Sequence, residues 1–415
     1  MLAEMSPPSP ADLADDDALA EILLLLPPPS VLRSRAVCKR WRRVTTCPSF
    51  VAAYSARRPL ELLVYPDGYK LWPDSKNILA GVDPLDPGAW GYRRFLRMDR
   101  SLRLVDSRDG LLLLALGNTA FVLCNPATRQ LARLPSPAPA PCMRLLVSGL
   151  YFHRPSGEHR VLCIGHNHRR EGGRDFHYIL STGSGEPRRL GPVATATGRS
   201  NPIPSACVAL GATLHWAHHP EADNSRMVAF DTESEAFRLI PLPPLAAAAG
   251  GDLPPHIRAF DMDGTLAVSA LVQGSLRMDV WALEAGAGGE AWARRLRIDL
   301  PPRRVREYWS SDEAVAVVEG GRLLVVVGAG WVALHDVRTG RTVSRVDYSG
   351  EIGNVSRCLY RMSLVPLPVP PGQPPHGGEE PSPPLHYWSP DDTYMSQFRS
   401  DCGSWMLPDI VYANA

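Results

Sequence analysis

One phrase returns along this chain, and it constrains the fold more than any other feature. FVLCNPATRQLARLP (121–135) aligns with MVAFDTESEAFRLIP (227–241). Asn125 falls on Asp231, Thr128 on Ser234, Leu131 on Phe237, Leu134 on Ile240 and Pro135 on Pro241. WVALHDVRTGRTVSRV (331–346) puts Asp336 and Thr339 in the same places, and HYILSTGSGEPRRL (177–190) supplies Ser181 and Ser184. MDVWALEAGAGGEAWARRLRI (278–298) is a degenerate copy with a longer Gly-rich turn. Each copy reads strand, turn, strand: a small polar residue opens the turn by bonding its own backbone two or three residues on, and Thr or Ser three later closes it. A glycine-marked hairpin precedes most copies, at Asp109-Gly110, Leu210-Gly211, Asp263-Gly264 and Gly320-Gly321.

A unit therefore carries about four strands in roughly 40–60 residues, the sequence mark of a propeller blade. A four-stranded blade cannot bury both faces alone, and radial stacking against neighbours does so. Five units are visible, centred near 105–135, 145–190, 205–241, 256–298 and 313–346. Residues 60–98 with a late strand at Met362–Leu367 are expected to close the ring, first with last. The expectation is a mainly β protein with a β-propeller-like domain of about six blades, five being the alternative. Composition agrees, because 41 of the 415 residues are proline and proline breaks helix interiors.

The exception is residues 15–58. Asp15, Asp16 and Asp17 precede Leu19, Ile22, Leu23 and Leu26, a stripe at helical spacing. The aspartates suit a helix N-terminus, and Pro27, Pro28 and Pro29 stop the helix. Ser30 is placed to cap a second short helix with Val31 and Leu32. A third carries Val37, Cys38, Trp41 and Val44. Three short helices make a core too small to stand alone. Their leftover apolar surface is expected either to meet a partner or to pack on the β domain. The chain thus divides into a polar, disordered lead (1–14), a helical unit (15–58), a β domain (60–366) and a Pro-rich, mostly disordered tail (367–415).

The helical run LADDDALAEILLLLPPPSVLRSRAVCKRWRRVTTCPSF resembles an F-box. The family's pattern falls on Leu13, Ile22-Leu23, Leu26-Pro27, Leu32-Arg33, Val37-Cys38-Lys39, Trp41-Arg42 and Pro48-x-Phe50, with Ala14 where a proline commonly stands. The resemblance implies binding to the Skp-family adaptor of an SCF-type ubiquitin ligase and, through it, to a cullin. The adaptor-binding residues it implies are Leu13, Leu19, Ile22, Leu23, Leu26, Pro27, Leu32, Val37, Cys38 and Trp41. An amphipathic stripe in an apolar groove is the physical mode. The basic residues Arg33, Arg35, Lys39, Arg40, Arg42 and Arg43 read as solvated helix faces. DGLLLL followed by CNPATRQLARLP, and MVAFDTESEAFRLIPLP later, resemble the plant-type F-box-associated domain over roughly residues 100–366. That domain recruits the protein to be ubiquitinated, and the family has no shared catalytic residues to carry over.

These resemblances imply a non-catalytic substrate-recognition subunit. The alternatives are a propeller scaffold that holds the adaptor without ubiquitination and, more remotely, a phosphatase-like enzyme. The last rests on AFDMDGTLAV (259–268), which mimics the haloacid-dehalogenase nucleophile motif with Asp261 as nucleophile and Asp263 as acid/base. That chemistry needs a parallel sheet and a downstream Lys. No lysine follows Lys76, so the expected structure is an Asp-Gly hairpin turn within a blade. His215, His218 and His219, and His166 with His168, have metal-like spacing without a Cys or carboxylate set to complete a site. No metal and no cofactor is expected.

Other classes recede. A net charge of +1 gives no reason to expect nucleic acid as a partner. The apolar runs are too short for a membrane span, and the acidic, Pro-rich start is unlike a secretory signal. The eight cysteines form no CxxC pair and read as reduced thiols in an intracellular protein, of cytoplasm and/or nucleus. Trp72, Trp90, Tyr92, Tyr308 and Trp309 are the candidates for contact with a target protein.

Overall fold

The computed structural model describes residues 10–66, 76–85, 93–99, 101–117, 119–136, 143–167, 176–190, 207–217, 226–245, 257–272, 276–286, 289–300, 313–318, 320–328, 331–347, 354–367 and 385–387. Four helices come first: α1 (Pro10–Leu25), α2 (Pro28–Ser34), α3 (Lys39–Thr46) and α4 (Pro48–Ala56). The sequence suggests three. The fourth arises because Pro48, preset for the first helical turn, follows Cys47, whose Sγ caps the Phe50 amide at 3.4 Å. The helix starts are also shifted. Pro10 already lies in α1, so the aspartates sit within that helix rather than at its cap. Pro27 is the residue before α2, with Pro28 in its first turn, and Ser30 falls inside that helix.

The strands follow in chain order. They are β1 (Leu60–Tyr65), β2 (Lys76–Val82), β3 (Arg93–Asp99), β4 (Leu102–Arg108), β5 (Leu111–Leu116), β6 (Ala120–Asn125) and β7 (Gln130–Arg133). Next are β8 (Met143–His153), β9 (Glu158–Asn167), β10 (Phe176–Ser181), β11 (Arg188–Arg189), β12 (Val208–Leu210), β13 (Thr213–Trp216), β14 (Arg226–Asp231) and β15 (Ala236–Pro241). The rest are β16 (Ile257–Met262), β17 (Thr265–Val272), β18 (Arg277–Gly286), β19 (Gly289–Asp299), β20 (Glu313–Val318), β21 (Leu323–Gly328), β22 (Trp331–Asp336), β23 (Thr342–Asp347), β24 (Asn354–Arg361) and β25 (Leu385–Tyr387).

They form six sheets. Five are consecutive meanders, β4–β7, β8–β11, β12–β15, β16–β19 and β20–β23; the sixth has the order β24-β1-β2-β3-β25. This is a six-bladed propeller closed by pairing its last inner strand with its first, Leu60 opposite Arg361 and Leu62 opposite Leu359. The closing strand is Asn354–Arg361. Met362–Leu367, read from sequence as that strand, is instead an extended strap without ladder pairing.

Alternation along each strand explains why the ring holds. Leu62 and Val64 of β1 face the fifth blade, in one cluster with Val325, Val327, Val332 and Leu334. Leu63 and Tyr65 face the first blade, with Leu102, Leu112 and Leu114. The other seams are filled likewise: the first two blades meet through Leu113, Leu123 and Val161, the second and third through Leu162, Trp216 and Phe230, the third and fourth through Met227 and Val268, and the fourth and fifth through Val280 and Leu324. Middle strands therefore read as continuous apolar runs, such as LLLLAL in β5, because both faces are covered.

The repeat phrase is the turn between the third and fourth strands of a blade. Asp231 Oδ1 accepts from the amides of Glu233 (3.1 Å) and Ser234 (2.7 Å) and from Ser234 Oγ (2.8 Å). Asp336 does the same with Arg338, Thr339 and Thr339 Oγ1. Asn125 Oδ1 accepts from the amides of Ala127 and Thr128. These bonds hold Asp231 and Asp336 below the usual carboxylate range.

Candidate functional site

The helical unit is built around Leu23, Leu24, Val31, Val44, Phe50 and Tyr54, with Leu19, Leu26, Leu32 and Trp41 packed on them. Its polar ties close the C-terminal end of α1, whose last carbonyls lack helical partners. Tyr54 Oη donates to Leu26 O at 3.0 Å, and Arg58 donates to Leu24 O and Leu26 O. Burial pushes the Tyr54 phenol up to about 12, with Arg58 over its ring opposing. Asp16 receives Arg40 Nε and Arg43 at 2.6 Å, and these bonds lower its pKa. Two of the six basic residues are thus tied to α1, and Arg35 donates to Thr45 O.

One member of this core comes from the segment that follows the propeller's last inner strand. Leu364, fully buried, belongs to the helical cluster. Around it the strap is fixed to the first blade. Asn125 Nδ2 donates to Ser363 O (3.1 Å) and Val365 O (2.8 Å), and Leu367 N donates to Gln130 Oε1 at 3.0 Å. Leu367 itself is buried in the seam between the first two blades. The strap passes so close to the β4–β5 hairpin that a Cβ on Gly110 would lie 2.3 Å from that of Ser363, and Gly110 also has φ +78°. The helical unit packs on the ring, as one of the two sequence expectations had it, and it also keeps an apolar surface in solvent.

That surface is narrower than the stripe read from sequence. Ile22, Leu25 and Val37 are 61%, 76% and 64% exposed, and Pro27 and Cys38 are exposed as well. Leu23 is sealed at 1%. Leu19, Leu26, Leu32 and Trp41 are half-buried, and the side chain of Leu13 lies outside the described residues. Leu25 was missed by the sequence reading, although its spacing of three from Ile22 marks a second helical face.

The inner strands β4, β8, β12, β16, β20 and β24 line a central cavity of 1170 Å³. Asp106 crosses a seam there, its Oδ2 accepting from Leu150 N at 3.0 Å, and burial raises its pKa against that bond. Asp261 is also in the wall. Its Oδ1 accepts from Gly264 N at 2.7 Å, Asp263 and Gly264 have φ of +52° and +83°, and β16 pairs antiparallel with β17. The motif is a two-residue hairpin, not the end of a parallel strand, and the phosphatase geometry is absent from it.

His215 is buried on β13, and burial lowers its pKa to about 4. His168, His218, His219 and the side chain of His166 lie outside the described residues, as do Trp72, Trp90, Tyr92, Tyr308 and Trp309. Among the described residues no group of three or more His, Cys, Asp or Glu side chains is arranged to hold a metal. No described helix is long and apolar enough to cross a membrane.

A helical unit with exposed apolar residues, followed by a six-bladed β-propeller, defines the architecture. Comparison with known families specifies it. Residues 15–51 match the F-box domain, and residues 94–322 match the F-box associated beta propeller domain. The second match covers more than half of the chain, and the chain belongs to that family of F-box proteins. Three F-box proteins of Arabidopsis thaliana are similar to it. One is 31% identical over 36% of this chain and 38% of its own length. Another is 27% identical over 55% and 59%, and a third is 24% identical over 79% and 85%. The matched stretch thus spans less than two thirds of the first two relatives. Among solved structures, TolB from Acinetobacter baumannii aligns with a TM-score of 0.44 at 12% identity, over 78% of this chain and 73% of that one.

Proposed function

We propose that the chain is the substrate-recognition subunit of an SCF-type ubiquitin ligase. The helical unit binds the Skp-family adaptor, and through it a cullin, while the propeller binds a target protein. The observation that carries this is the exposure of Ile22, Leu25 and Val37 on a helical unit that already has a filled core. Large apolar side chains left in solvent on a small helical unit mark an interaction surface, and helix faces of this kind dock in apolar grooves. The chain does no chemistry in this reading. It raises the local concentration of a target beside a ubiquitin-conjugating enzyme held elsewhere in the complex.

The topology favours one face of the ring for the target. The β1 start and β24 end lie together under the helical unit. The same end of the ring holds the connections within the first and second strand pairs of each blade, mostly two to six residues long. The longer intervals 190–207, 242–256 and 300–312 leave from the opposite end, and binding residues concentrate on such connections.

The test is co-purification of the full-length chain with a Skp-family adaptor. Leu25→Asp or Ile22→Asp abolishes it while the thermal midpoint stays in place. Binding that survives both changes overturns the proposal.

A further inference from the structure

The outer edge of the closing blade is already used for strand addition. Leu385–Tyr387 lies antiparallel on β3, with Leu385 opposite Met98, His386 opposite Arg97 and Tyr387 opposite Leu96. It is the fifth strand of a sheet whose neighbours have four. Seventeen residues separate it from Leu367, eight of them proline, so it is tethered to the ring rather than built into the meander. It occupies three of the seven positions of β3. A strand that short makes few ladder hydrogen bonds, and the high local concentration conferred by the tether does much to keep it seated.

We propose that the outer edge of β3 is a peptide-docking edge, which takes an extended segment of a target protein as an added antiparallel strand, and that Leu385–Tyr387 is its placeholder in cis. The proposal deepens the substrate-receptor reading and rests on it for the partner being a target. The partner's chemistry follows from the edge. It is an extended run of up to seven residues, with free amides at the positions facing β3, since proline there removes a ladder bond. It carries an acidic residue opposite Arg97, which is exposed at the centre of the strand. Opposite charges directly across a ladder attract, and the native occupant has a histidine there. Two other outer strands are short, β11 with two residues and β7 with four, while β15, β19 and β23 have six, eleven and six; among the described residues β3 is set apart by the strand added to it.

The experiment uses the full-length chain and a fluorescein-labelled peptide of residues 381–391. In the wild-type chain the tethered strand competes with the peptide. In Leu385→Pro/His386→Pro the tail cannot pair in either parity, and the peptide binds about tenfold more tightly than to wild type. Methylating successive peptide amides weakens binding at every second position, the signature of a ladder. Placing Asp at the His386 position of the peptide tightens it by roughly two- to fivefold. A second variant, Arg97→Cys/His386→Cys, joins residues that face each other across the ladder; oxidised it loses peptide binding, and reduced it regains it. Equal binding to wild type and the proline variant, no binding to that variant with its thermal midpoint unchanged, or indifference to amide methylation overturns the proposal. Adaptor co-purification is read separately. Its loss in Leu25→Asp with peptide binding intact counts against the adaptor, not the edge.

Discussion

Leu364 joins the last part of the propeller to the core of the helical unit, and removing its side chain tests how much of that unit's stability comes from the ring. The residue is fully buried among Leu23, Leu24, Val31, Val44, Phe50 and Tyr54. Leu364→Ala loses its transfer free energy and leaves a cavity, a combined cost of about 2–5 kcal/mol. At about 1.4 kcal/mol per tenfold, that is roughly 30-fold to several-thousand-fold in the local opening equilibrium. The cost falls on one side, because the six blade seams contain other residues. Amide hydrogen exchange reads the two parts separately. Protection across α1–α4 falls by that factor, while β5, β14 and β21 keep theirs. Adaptor affinity drops with it, since the docking surface is then formed only part of the time. Leu367→Ala is the control: it loosens the seam between the first two blades and leaves the helices protected. Unchanged protection in α1–α4, or an equal loss in helices and strands, would refute the idea that the strap completes the helical core.

Acid should weaken the ring through its buried histidines. His177 and His215 are both lowered to about 4 by burial, so the folded state takes up fewer protons than the unfolded chain below pH 6.5. The stability present above pH 6.5 is lost as pH falls toward 4, at up to about 1.4 kcal/mol per unit for each histidine. Urea midpoints between pH 7.5 and 5 check this, and His177→Leu/His215→Leu flattens the profile. Glu235 accepts from Tyr151 Oη and Arg160, both at 2.7 Å, and also holds Arg188 across the seam between the second and third blades. Glu235→Ala takes the anion from Tyr151 and Arg188, leaves Arg160 with Glu158 alone at 3.1 Å, and costs about 3 kcal/mol, read as a lower thermal midpoint. Gly110→Ala meets both a left-handed φ and the Ser363 side chain, and lowers stability by about 1–3 kcal/mol or more in the same assay.

The blade architecture was legible because it is written locally. Asp231, Asp336 and Asn125 bond amides two and three residues ahead, and the Asp109-Gly110 and Asp263-Gly264 hairpins need only their own φ angles. Short-range patterns of that kind repeat with the blade and can be aligned by eye. The helical unit was legible as a motif, but its two faces were not: Leu23 and Ile22 are neighbours in the chain, yet one is sealed and the other stands in solvent. Spacing alone does not say which face of a short helix finds a lid.

Strand order, blade turns and the presence of a helical handle were thus settled by the chain's own periodicity, since backbone geometry and turn chemistry act over a few residues. The tertiary structure decided the closing strand, the strap and the cover on β3. Each joins residues that lie far apart along the chain: Leu60 with Arg361, Tyr54 with Leu364, Leu96 with Tyr387. A single residue such as Leu364 has no periodicity to reveal it. Its partner is chosen only when the ring closes and brings the last strand under the first helices.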